Sequence, residues 1–285
     1  MSTASLATRP AVLPPEQGRA GLPGALASEW TKIRSVRSTV WILLILIIAT
    51  AGINVLSGYA WAHNAQQNLT APPGADFRPP PIVLDTKNLQ IGIFFGQLIA
   101  IVLGGLGIAS EYSTGMIRTT LSVQPRRGTV FLAKLLVLTG VSLVIGEVIS
   151  FGSFFLTNSL IHTFGIHFSL SNSDTLVGVI GGGLYLTGCA LLAFGVGALF
   201  RNTATAIAVP VALLLVVDIL VHAALPESLQ QHVTPYVPME AGPQILSNVH
   251  QPGTDLTAWH GFGVFMIYVV ISLAAGFWAF TERDA

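Results

Sequence analysis

Charge is what this chain has least of. Of its 285 residues, 13 are Lys or Arg and 13 are Asp or Glu, or 9% in all, where a soluble domain carries about 25%. So few charges cannot coat a soluble fold of this size, which excludes an ordinary cytosolic or secreted domain. The balanced signs leave no basic surplus to argue for nucleic acid. One cysteine excludes a disulfide framework and any cysteine-based zinc site within one chain. The three lysines follow Thr31, Thr86 and Ala133, so there is no Gly-Lys pair and no P-loop. ATP hydrolysis by that route is closed to this chain. The His-Glu-x-x-His helix of metalloproteases and the Gly-x-Ser-x-Gly elbow of hydrolases are missing as well.

What the chain has instead is apolar length, with a mean hydropathy of +0.70. A membrane helix needs about 20 mostly apolar residues. Six stretches qualify: Val40–Tyr59, Ile91–Ala109, Val130–Thr157, Leu176–Phe200, Ala204–His222 and His260–Thr281. The third is long for one crossing and is expected to tilt or to begin in the interface. The first lies behind a long polar or mixed stretch and lacks a small-residue cleavage site, which predicts an uncleaved signal anchor. The fold class is therefore all-α and polytopic.

Lys and Arg give the expected orientation. With the N-terminus in the cytoplasm, Arg9, Arg19, Lys32, Arg34, Arg37, Arg118, Arg126, Arg127, Lys134, Arg201 and Arg283 lie inside. Only Arg78 and Lys87 lie outside. Both termini then share the basic side, as six spans require. The loop Trp61 to Gln90 contains Ala71-Pro72-Pro73-Gly74 and Pro79-Pro80-Pro81 and reads as polyproline-like. The segment Ala223 to Trp259 carries five prolines, and its apolar pieces are too short to span. They are expected as re-entrant or interfacial helices before the last span. Residues 1–25, rich in Ala and Pro, are expected to be a disordered tail, leaving 26–285 as the six-span membrane domain.

Two segments on the basic side are more than connectors. In Leu26 to Arg37, the residues Leu26, Trp30, Ile33, Val36 and Val40 recur on one helical face, with Glu29 and Lys32 off it. That pattern suits a helix lying flat in the headgroup layer; the plainer reading is a basic flank that only orients the first span. In Ser110 to Leu121, Ser110 is placed to cap a helix with Glu111 in its first turn, Tyr112, Met116 and Thr119 along one face, and Gly115 admitting a close backbone. Gln124-Pro125-Arg126-Arg127-Gly128 then stops it. The plainer reading is a basic loop.

These residues carry a resemblance. Ile108 to Arg118 resembles the segment after the second span of ABC-2-type permeases of ATP-binding-cassette transporters. Ala27 to Ser35 resembles their N-terminal elbow helix, Phe200-Arg201-Asn202-Thr203-Ala204 their turn between spans four and five, and Tyr236 to Gly242 their outer segment before the last span. Glu240 and Pro243 depart from that last pattern. The resemblance implies an exporter of the type V kind, built from two permease chains, identical or different, and two ATPase chains that bind the ATP and Mg. It implies coupling to the ATPase through Glu111, Tyr112, Gly115, Met116 and Arg118, with Glu29, Trp30 and Lys32 as elbow residues. It also implies a multi-pass plasma-membrane protein in contact with lipid.

Glu147 and Asp218 fall inside spans three and five, where an ionisable group is costly. Each is open to two readings: an intramembrane proton, cation or cationic-substrate site, or local structural pairing. They also support the alternatives to an ATP-driven exporter, namely an ion- or proton-coupled secondary transporter or a non-transporting anchor or sensor. All seven histidines fall on the expected outer side without ligand-like spacing, which favours interfacial histidines satisfied by water. Gly92-x-x-x-Gly96 and Gly178-x-x-x-Gly182 permit close helix contact, either within the chain or between chains.

Overall fold

The computed structural model describes residues 21–70, 85–123, 126–164, 168–247 and 256–283, and among them all regular structure is helical. The polyproline-like run at 71–81 and the first 20 residues lie outside the described residues. Apolar runs bounded by Gly, Pro and polar residues satisfy their backbone internally, as lipid demands. Six helices are long and apolar enough to cross a membrane: Arg37–Asn64, Ile91–Ser113, Arg127–Phe164, Ser173–Phe200, Thr203–Ala224 and Ala258–Glu282. They match the six expected stretches one for one.

Before the first span lies α1 (Leu22–Ser35), which ends at Val36 in extended backbone, after which the chain turns into α2 (Arg37–Thr70). Residues 22–25, expected in the tail, lie in this helix. The helix already begins at Leu22, because Gly21 serves as N-cap and Pro23 sits in the first turn, where its missing N–H costs nothing. A short α3 (Thr86–Leu89) precedes span two, α4 (Ile91–Ser113); α5 (Met116–Val123) lies between spans two and three. Span three is α6 (Arg127–Ile161), extended by a 3-10 turn to Phe164. Its 38 residues amount to about 57 Å of helix, so it outruns the hydrocarbon layer.

Span four, α7 (Ser173–Phe200), is the hub. Of its most apolar window 78% is buried, against 17% for spans one and five. It packs on α4, α6 and the last span, α12 (Ala258–Glu282). Glycine allows this closeness: a Cβ on Gly104 of α4 would sit 1.8 Å from the Ala190 carbonyl oxygen of α7. The two Gly-x-x-x-Gly pairs serve packing inside the chain. Cβ atoms at Gly92 and Gly96 would strike Thr50 and Asn54 of α2, and those at Gly178 and Gly182 would strike Thr86, Leu246, Gln90 and Ser150.

Span five is composite. It runs as α8 (Thr203–Val211), a π turn over Ala212–Val216, and α9 (Val217–Ala224). Pro210, just before the turn, has no N–H to donate to the preceding turn of α8. α8 packs on α7 and α4, whereas α9 touches the short helices that follow. Those are α10 (Glu227–Val233), a 3-10 turn, α11 (Pro238–Ala241) and a second 3-10 turn (Gly242–Leu246). They fold back against α12 and α7, with Val237, Ala241, Ile245 and Leu246 buried. Thr86 Oγ1 donates to the Leu246 carbonyl at 2.5 Å and fastens α3 to them.

Candidate functional site at the basic end of the bundle

α1, α5, the start of α6, the turn at Arg201 and the end of α12 gather at one end of the bundle, where most of the basic residues lie. The first cluster there is a ring of four charges. Lys32 Nζ donates to Glu29 Oε1 and to Glu111 Oε1, each at 2.8 Å. Lys134 Nζ donates to Glu29 Oε2 at 2.9 Å and also to Glu111 Oε1. Two ammonium and two carboxylate groups cancel, which is what makes their burial tolerable. Lys134 and Glu111 side chains are only 2% and 5% exposed, Lys32 26%. Burial opposes the charge on Lys32, but its hydrogen bonds and the charges of Glu111 and Glu29 outweigh that and raise its pKa above the ordinary 10.5. The ring pins α1 to the last turn of α4 and the first turns of α6.

The second cluster starts one residue later. The Arg201 guanidinium carbon lies 5.1 Å from the centroid of the Tyr112 ring, which meets Phe280 of α12 edge-on at 6.4 Å. Arg201 Nη2 donates to the Ala279 and Arg283 carbonyls at 2.9 and 3.0 Å. Neighbouring residues at the end of span two thus hold opposite sides of the bundle.

The helix expected to begin at Ser110 begins at Met116, which corrects several roles. Ser110 is no N-cap; its hydroxyl donates back to the Leu106 carbonyl within α4 at 2.6 Å. Glu111 and Tyr112 belong to the buried end of span two and face neighbouring helices, not solvent. α4 outruns its expected end at Ala109 because the ring and the Tyr112 stack stabilise one more turn. Among the described residues no backbone approaches Gly115: a Cβ there would meet nothing within 4 Å. It is needed for its φ of +71°, the left-handed turn that closes α4 before α5 starts.

α5 then lies with Ile117 buried and Leu121 against the core, leaving Met116, Arg118 and Thr119 exposed. Trp30 of α1 is half exposed, on the apolar face opposite buried Glu29. Between α1 and α5 runs a groove of about 750 Å³ lined by Pro23, Ala27, Ser28, Met116, Thr119 and Val130.

Glu147 and Asp218 have separate neighbours. Glu147 lies on α6 against Gly183 of α7, with Oε2 buried and unpartnered among the described residues. Asp218 opens α9 and has His222 one turn on, at 3.5 Å. His167 and His250 lie outside the described residues.

In the sequence Lys134 figures only as an orienting charge, and Arg201 as that and as part of the turn motif between spans four and five. A signal for Lys134 existed: a lone lysine inside an apolar run must find a carboxylate, and Glu111 and Glu29 flank the same interface. For Arg201 the sequence holds no comparable signal, because its partners lie 78 or more residues away.

The family model described as ABC-2 family transporter protein matches residues 25–285. No curated protein matches the chain.

Proposed function

The chain belongs to the ABC-2 transporter family, and from that premise we propose that it is the permease half of an ATP-driven exporter whose motor is a separate P-loop ATPase. The observation that carries the proposal is the groove between α1 and α5, whose α1 wall is fastened to spans two and three by the charge ring and whose α5 wall is seated through buried Ile117 and partly buried Leu121. A soluble partner seated there grips a surface that cannot move without the bundle. Exposed Met116 and Arg118 on α5, and Trp30 at the edge of α1, supply apolar and charged contacts of the kind that anchor a groove-bound element.

In this reading the basic end faces the cytoplasm of a plasma-membrane protein, as the eleven-to-two split of Lys and Arg favours. Two permease chains pair with two ATPase chains, which bind ATP and Mg. Closure of the ATPase pair displaces α1 and α5, and the permease bundles alternate between inward-open and outward-open packing. The difference in ATP affinity between those states supplies the work. The substrate path lies between the bundles, lined by spans two and five.

The test is purification from membranes in mild detergent. The expected result is a P-loop ATPase retained by the wild-type chain and lost when Met116 and Arg118 are both replaced by Glu. Flux in liposomes that needs no nucleotide, from a chain that retains no ATPase, refutes the proposal in favour of an ion-coupled transporter.

A further inference from the structure

Arg201 stands out on backbone grounds. Among the described residues it alone, apart from glycine, has a positive φ, at 56° with ψ 23°. That left-handed conformation ends α7 and normally falls to glycine, which adopts it without strain. The chain has 29 glycines and places them freely at close contacts, yet keeps an arginine here. A strained residue persists where its side chain supplies something a glycine lacks.

Backbone and side chain of Arg201 together make a junction here, and the side chain supplies its links to spans six and two. Its backbone N–H donates to the Gly197 carbonyl at 2.9 Å, closing span four. The next residue, Asn202, caps span five, its Oδ1 accepting from Ala204 N at 2.8 Å. The guanidinium reaches the carbonyls of Ala279 and Arg283 at the end of span six and lies over Tyr112 at the end of span two. Tyr112 is three residues from Gly115, the turn into α5. Glu111 beside it leads to α1 and span three through the charge ring. Besides the direct packing of α4 on α7 and α8, the Tyr112–Arg201 contact therefore gives the end of span two next to α5 a side-chain link to the turn between spans four and five and to the end of span six, with Phe280 edge-on to the same tyrosine.

We infer that Arg201 is a positioning residue that carries displacement of α5 into spans four, five and six. The inference rests on the proposed function and adds to it the route by which the far half of the bundle follows the ATPase. Two features of arginine suit the task. Its Nη2 donates to two carbonyls of span six while the guanidinium carbon stays 5.1 Å from the centroid of the Tyr112 ring, a delocalised cation being the better partner for an aromatic face.

The experiment uses the assembled permease–ATPase complex in lipid nanodiscs. Buried Cys189 is the chain's single cysteine, so environment-sensitive fluorophores are attached at Ser122→Cys on α5 and, in a second preparation, at Ile219→Cys on α9, which is 61% exposed. In the wild type, ATP, Mg and vanadate are expected to shift both emission maxima. Arg201→Gly, which relieves the strained backbone while removing the side chain, is expected to keep the response at 122 and lose that at 219. Tyr112→Leu breaks the same contact from the other side and should do the same with Arg201 in place.

A full response at 219 in Arg201→Gly or in Tyr112→Leu overturns the inference. A wild-type complex that moves neither label removes the proposed function and the inference with it.

Discussion

The charge ring makes a prediction in which burial, and not charge, decides the size of the effect. Lys32 and Lys134 each bond the same two carboxylates, at nearly the same distances. Replacing either by Met leaves the ring with one excess negative charge. The difference lies in what can take the lysine's place. Lys32 is about a quarter exposed, so water reaches its position and solvates the carboxylates once it is gone. Lys134 is 2% exposed, and the Met side chain that replaces it fills the space with nothing polar. Removing one partner of a buried ion pair costs about 3–5 kcal/mol, while a partly exposed pair is worth roughly 0–1 kcal/mol. Lys134→Met is therefore expected to destabilise strongly and Lys32→Met slightly. The assay is thermal or denaturant unfolding of the purified chain in lipid nanodiscs. A double variant sharpens it. Adding Glu111→Gln to Lys134→Met restores charge balance and should recover stability, so the two changes are non-additive in a favourable direction. Equal losses for the two lysine variants would refute the reasoning, as would a double variant less stable than Lys134→Met alone.

Gly104→Ala puts a methyl 1.8 Å from the Ala190 carbonyl oxygen and should sharply lower the folded yield in membranes. Gly140→Ala, where a Cβ meets nothing within 4 Å, should instead raise thermal stability by about 0.5–1 kcal/mol through helix propensity. Gly115→Ala has open space but the wrong φ and should cost about 1 kcal/mol. Its larger effect is expected on ATP-driven transport, with Gly115→Asn milder because asparagine tolerates the left-handed turn. Glu147→Gln removes a carboxyl with an unpartnered buried oxygen and is expected to lower transport while leaving the complex assembled on size-exclusion chromatography; unchanged transport rules out a role for its charge.

Composition and periodicity alone determined the number of spans, the helical class and the end of the bundle at which basic residues collect. A backbone in lipid has no water to bond, so an apolar run of the right length has one fate, and charges sort by side. The local pattern also revealed the amphipathic character of α1, because its period is carried by neighbours in sequence. Where α4 ends was decided by tertiary structure. Ser110 before Glu111 reads as a helix start when only local bonds are counted, and the helix runs on because lysines 79 residues earlier and 23 residues later hold Glu111 inside. The direction in which Glu111 and Tyr112 point, the pairing of Lys134, and the strained Arg201 depend likewise on helices distant in sequence. Long-range ion pairs and stacks leave no period behind them, and only the packed bundle brings their partners together.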